Sequence, residues 1–136
     1  LKKEAPPLTA NDIYILALSF LSETPSGNAL LEGFTPGWLS LLLEESRKQE
    51  NHLRRFEGRP ELEQAPVVTD LSQEIDYHEA ILRTALPYGL ASFFFLDDEN
   101  DYRSQDFRAR YISALNDAVS LQEEPVRDLY GGDGDA

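Results

Sequence analysis

Five consecutive residues, Asp97, Asp98, Glu99, Asn100 and Asp101, bring together the carboxylate and amide oxygens that a calcium loop uses as ligands. Such a loop also needs glycine at its sixth position for the sharp turn and a bidentate glutamate at its twelfth. Counted from Asp97, those positions hold Tyr102 and Arg108, so the run reads as a solvated turn whose acids sit near the positive end of the next helix. A second grouping is Glu74, His78 and Glu79, which could supply two or three ligands to a divalent ion. Glu74 falls before the expected helix, however, and the other histidine, His52, stands among Glu50, Asn51 and Arg54 on a different one. No metal or other cofactor is expected.

Catalytic signatures are lacking: the chain has no glycine-rich phosphate loop, nucleophile elbow or HExxH motif, and without cysteine it has no thiol nucleophile or thiolate ligand. It is therefore expected not to be an enzyme. Phe93, Phe94, Phe95, Tyr102, Phe107 and Tyr111 could suggest a base-stacking platform, but they lie at helical spacing beside acids, whereas stacking platforms line a positive groove. They read as core. The one positive patch is Arg47, Lys48, Arg54 and Arg55, which can complement a helix C-terminus and form ion pairs, or dock on an acidic neighbouring subunit.

Lys and Arg number 12 against 25 Asp and Glu, a net charge of −13, so the surface field repels phosphate backbones and anionic lipid. No tight binding to nucleic acid is expected. No apolar run approaches the roughly 18 residues of a membrane span, and residues 13–21 are too short and lack the basic flank of a signal peptide. A protein soluble in the cytosol when made is the expectation. No methionine occurs, even at position 1, as expected of a trimmed chain or one from which residues have been dropped, across which helical registers would shift. With 136 residues and 41% hydrophobic composition, the chain suits one domain with a modest core.

These residues must be carried by helices. Thr9 and Asp12 have capping-box spacing, with Leu8 and Ile13 as a hydrophobic staple, so a helix should start at Ala10 and bury Ile13, Leu16, Ala17, Phe20 and Leu21. Thr24-Pro25 and Thr35-Pro36 each place a capping hydroxyl before a proline suited to the first helical position, with Gly33 as a stop between them. That predicts a short helix and then a long one over 36–57, packed at its ends by Trp38 to Leu43 and by Leu53 and Phe56, and closed by Gly58 and Pro60. Residues 59–75 (58–75 with the terminating glycine) have no helical period and read as an extended arm, ordered on meeting a neighbouring subunit.

Asp76 and Glu79 again have capping-box spacing, so a helix over 77–96 should follow, kinked near Arg83 to Pro87, where the proline ring meets the Arg83 carbonyl. After the acidic turn, a last helix from about Tyr102 should bury Phe107, Tyr111, Ala114, Leu115, Ala118 and Val119 and stop at Pro125. The two should pack as a hairpin, with Leu86, Pro87, Phe93, Phe107 and Tyr111 in its core. The fold class is all-α, four or five helices in one domain over 1–129, with a disordered acidic tail over 130–136.

The strings PYGLA (87–91), FFFLDDEN (93–100) and RARY (108–111), with NDIYILALSFLSE (11–23) and Glu50-Asn51 before Leu53-Arg54-Arg55, resemble head–tail connectors. These are small proteins encoded beside capsid genes in prophages of Gram-positive bacteria. The resemblance implies a virion structural protein that forms a ring between the portal and the tail or stopper proteins, made in the bacterial host cytoplasm and ending in the virion neck. It would contact neighbours through the arm residues Leu62, Val67, Val68 and Leu71 and the cations Arg47, Lys48, Arg54 and Arg55. The rival expectation is an acidic helical regulator or DNA-mimic inhibitor bound to a basic protein; a small metal-dependent enzyme built on His78 is the third.

Overall fold

In a computed structural model, the chain is described over residues 7–22 and 28–134, with side chains as far as residue 120. Helix α1 spans Ala10–Ser19 and starts on the expected box: Thr9 Oγ1 accepts from the Asp12 N–H, and the Asp12 carboxylate accepts from the Thr9 N–H at 2.9 Å. Its inner face is turned from the expected one. Tyr14 and Leu18 are buried with Ile13 and Ala17, while Leu16 faces outward. Tyr14 can take the inner position because its ring meets Phe94 edge-on and its hydroxyl donates to the Asn28 carbonyl at 3.3 Å.

Helix α2 covers Ala29–Glu45 and α3 covers Arg47–Glu57. Pro36 lies inside α2, not at the start of a helix, and Gly33 does not stop the preceding turn. The proline costs the helix one N–H bond. Thr35, Leu39, Leu42 and Leu43 nevertheless bury one continuous face across it, and the Thr35 hydroxyl donates back to Leu31 at 2.7 Å instead of capping forward. The expected long helix is broken at Ser46, whose hydroxyl donates to the Leu42 carbonyl at 2.8 Å. Leu41 and Phe56, expected in packed ends, are exposed. Gly58 closes α3 in the left-handed conformation (φ 72°), and Thr24-Pro25 lies outside the described residues.

Residues 58–78 form a strap without helix or strand, apart from one isolated bridge between Thr9 and Glu74. It is tied to its own domain throughout. Leu62 exchanges two hydrogen bonds with the Asn51 amide at 2.7 and 2.9 Å, and the Val68 N–H donates to Ser40 Oγ at 2.8 Å. Farther on, Leu71 and Gln73 offer carbonyls to the N–H groups of Asn11 and Ala10 at 2.8 and 2.9 Å. Two donors that a helix start leaves without partners are thereby satisfied by the strap, and Thr9 satisfies a third. Val68, Ile75 and Tyr77 enter the core.

The next helix begins at residue 79, two residues later than expected. The Asp76 carboxylate pairs with Arg59 and does not cap; His78 Nδ1 accepts the Ala80 N–H at 3.1 Å instead. At Ile81–Ala85 the helix widens into a π turn, in which the Leu86 N–H reaches back to the Ile81 carbonyl. Where a kink over 83–87 is expected ahead of Pro87, the chain has this widened turn. Helix α4, Leu86–Asp97, then begins with Pro87 in its first turn.

Glu99 takes a positive φ of 59° in the acidic turn, and the Asn100 side chain caps the Arg103 N–H at 3.2 Å. Helix α5 follows over Asp101–Gly134. It runs through Pro125, which therefore does not stop it, and residues 130–134 of the expected tail continue it; residues 135 and 136 lie outside the described chain. An interior proline removes one backbone donor and crowds the carbonyl one turn back, a local cost across which α5 nevertheless continues.

The α4–α5 hairpin is the structural centre, with Leu86, Pro87, Phe107 and Tyr111 buried and Phe93 half-buried against Trp38. Gly89 sets its closeness: a Cβ there would lie 2.8 Å from Leu42 Cδ2 and 3.0 Å from Tyr111 Cδ1. Phe20 and Phe95 pack around the Phe107 ring, with centroids 5.3 and 5.2 Å away. Leu96, at the end of α4, is exposed, and so is Tyr102, which was expected in the core. The protein is all-α, five helices among the described residues.

Candidate interaction surface

The four cations singled out in the sequence do not form one outward patch. Arg54 is only 5% exposed and Glu50 is fully buried, because α3 turns both inward beneath the strap. Glu50 Oε2 accepts from Arg54 Nε at 2.7 Å, and its other oxygen accepts the His78 N–H at 2.7 Å. The Arg54 guanidinium also donates to the carbonyls of Pro60 and Asp76, at 3.2 and 2.6 Å, so one side chain grips both ends of the strap. A charge pair taken out of water is tolerated only with its remaining hydrogen-bonding capacity filled, as these bonds fill it.

Arg47 faces Glu44 at 3.1 Å and donates to the Leu62 carbonyl, again holding the strap. Its hydrogen bond draws the Glu44 carboxyl below its ordinary pKa, an effect that Glu44 Oε1 reinforces by accepting from Ala65. Arg55 is exposed and lies 3.1 Å from Glu61, and Lys48 is exposed. The arm residues divide in the same way: Val68 is buried, Leu62 and Leu71 are half-buried against the chain's own core, and Val67 is 67% exposed. The expected docking set thus separates into an internal clasp (Arg47, Arg54, Leu62, Val68, Leu71) and an accessible remainder (Lys48, Arg55, Val67).

Two further positions complete the clasp. Arg59 bridges to the Asp76 carboxylate at 3.1 Å, and His78 Nε2 stands 3.1 Å from Glu57. Because Nδ1 accepts from Ala80, the proton of the neutral ring belongs on Nε2, where it is donated to Glu57. The metal grouping considered for His78 is not assembled: Glu74 is exposed with its backbone on Thr9, and among the described residues no three His, Asp or Glu side chains are placed to hold an ion.

Ser40, Glu50 and Asn51 were missed as strap-holding residues. The signal available was a polar group every few residues within an otherwise packed helix, which is as characteristic of a solvated face as of a face covered by backbone. Tyr77 and Tyr111 donate hydroxyls to the Leu43 and Leu42 carbonyls at 2.6 and 3.3 Å. Burial first, and then nearby glutamates, push both phenols well above the usual tyrosine pKa, so they remain neutral structural donors.

An open groove runs between α1 and the π turn and is lined mainly by apolar side chains, including Leu8, Ile13, Ile15, Leu16 and Leu82. Of its polar members, Asp12 accepts from the Thr9 N–H and Ser19 Oγ donates to the Leu16 carbonyl, so both are engaged within α1 and its cap. No helix of the described chain is long and apolar enough to cross a membrane. No protein-family model, curated protein or solved structure matches the chain.

Proposed function

We propose that the protein is a structural assembly component, a head–tail connector that joins a ring of its own copies to a portal and tail proteins, and that it has no catalytic role. The observation that carries this reading is the use of charge. Arg47, Arg54, Arg55, Arg59, Arg83, Arg108 and Arg110 each lie beside a carboxylate of the same chain, so the acid surplus stays on the surface. An acidic wall lets DNA slide past, because few phosphates are neutralised and little counterion is released. Lys48, Arg55 and Val67 are the members of the expected docking set that remain accessible to a neighbour.

The test is co-purification with the portal encoded beside the gene, electron microscopy of assembled heads, and a gel shift at low salt. The expected outcome is portal association, presence in virions and no micromolar affinity for duplex DNA. Heads that lack the protein yet join tails at normal yield would overturn the reading. Binding to a basic DNA-binding protein in competition with DNA would put the acidic-inhibitor reading in its place.

A further inference from the structure

Helix α2 is apolar on both sides. Its inner side carries Leu39, Leu42 and Leu43, yet on its outer side Leu30, Gly33, Phe34, Gly37 and Leu41 recur three or four residues apart. Leu30 is 69% exposed, Phe34 43% and Leu41 58%, and a Cβ added at Gly33 or Gly37 would meet nothing within 4 Å. A helix that is apolar all round is ordinarily covered all round. We infer that this outer face pairs with the same face of a second copy of the chain, as a two-fold symmetric dimer.

Charge selects that occupant. The chain carries −13, yet Ala29 to Leu43 holds one charged residue, Glu32, and it is not part of the outer stripe. At the end of α2, Glu44 and Glu45 are matched by Arg47 and Arg108 of the same chain. A basic partner would be drawn to the acidic surfaces elsewhere and find nothing here to pair with. A second copy needs no opposite charge and meets least repulsion at this face.

Shape points the same way. Phe34 projects beside the open notch at Gly33 and Gly37, and in an antiparallel crossing each Phe34 can fill the notch of the other copy, the reciprocity a two-fold contact requires. Trp38, in ring contact with Phe34 and stacked on Phe93, widens the apolar border. A two-fold contact closes on itself and cannot propagate a ring, so this pairing stands apart from the connector proposal and concerns the unassembled protein. A single helix about 25 Å long covers less than the roughly 800 Å² per partner of a standard interface, so the dimer is weak and concentration-dependent.

Sedimentation equilibrium of the full chain from micromolar to submillimolar concentration is expected to show a monomer–dimer transition that Phe34→Glu abolishes, while the variant's thermal midpoint at micromolar concentration, where both chains are monomeric, stays near that of the wild type. The single tryptophan, Trp38, borders this face and supplies a second readout independent of that variant. Its emission in the wild-type chain should change over the same concentration range, and Ala109→Glu, exposed on α5, should leave that change intact. A wild-type chain monomeric throughout the range would overturn the inference and leave the face to a different partner. A dimer indifferent to Phe34→Glu, or one that forms without a change in Trp38 emission, would also overturn it.

Discussion

Among single residues, Arg54 has the most to lose. It is enclosed, bonded to Glu50 and shared between two strap carbonyls, so Arg54→Ala strands a buried carboxylate and should cost about 3–5 kcal/mol in urea unfolding. Replacing Glu50 and Arg54 together by leucine and methionine should cost less than the single change, because no charge is then left alone; equal losses would show that the pair itself carries the stability. The two buried tyrosines set the alkaline limit. Their folded pKa values lie above the ordinary value of 10.0, so their contribution is complete below pH 10 and is lost as pH rises through the folded values. Glu44 and Asp70 shift the other way, drawn down by Arg47 and by Ser72 respectively. Their contribution is present above the unfolded carboxyl values and lost as pH falls through the lower folded ones. Thermal midpoints measured across pH should therefore decline on both sides of neutrality, with Tyr77→Phe softening the alkaline decline.

At the scale of elements, the hairpin and the strap make separate predictions. Gly89→Ala forces a methyl toward Leu42 and Tyr111 and should destabilise by about 1–3 kcal/mol, the reverse of what alanine does in an open helix. A denaturation midpoint equal to or above wild type would mean that α4 can move off α5 freely. For the strap, the amides of Leu62, Val68 and Ile75 should exchange slowly in a verified monomer, since each donates inside the domain. Exchange at loop rates would restore the expectation of an arm that orders only on a neighbour. The capping box at Thr9, the stop at Gly58 and the distortion before Pro87 were legible because each rests on local chemistry within a few residues. The inner face of α1 and the continuation of α2 through Pro36 were not, because partners distant in sequence decide them: Phe94 draws Tyr14 inward, and the core holds Leu39 and Leu42 on one helix with Thr35. The clasp was illegible for a related reason, since nothing near Arg54 in sequence announces that carbonyls at 60 and 76 will surround it.

For the whole molecule, one joint couples regions far apart in the chain. The first turn of α1 rests on carbonyls supplied by Leu71 and Gln73, sixty or more residues downstream. Contacts of such sequence separation raise the contact order and slow folding, because a long loop must close before they reward it. On a ribosome the consequence is temporal. A nascent chain that has released only α1, α2 and α3 still lacks the acceptors for the N–H groups of Ala10 and Asn11, and α1 also lacks Phe94 to pack against. Helix α1, which emerges before α2 to α5, should be among the last elements to become stable. Pulse-labelled exchange during refolding should find protection at Ala10 and Asn11 appearing with that of Ile75, not ahead of it.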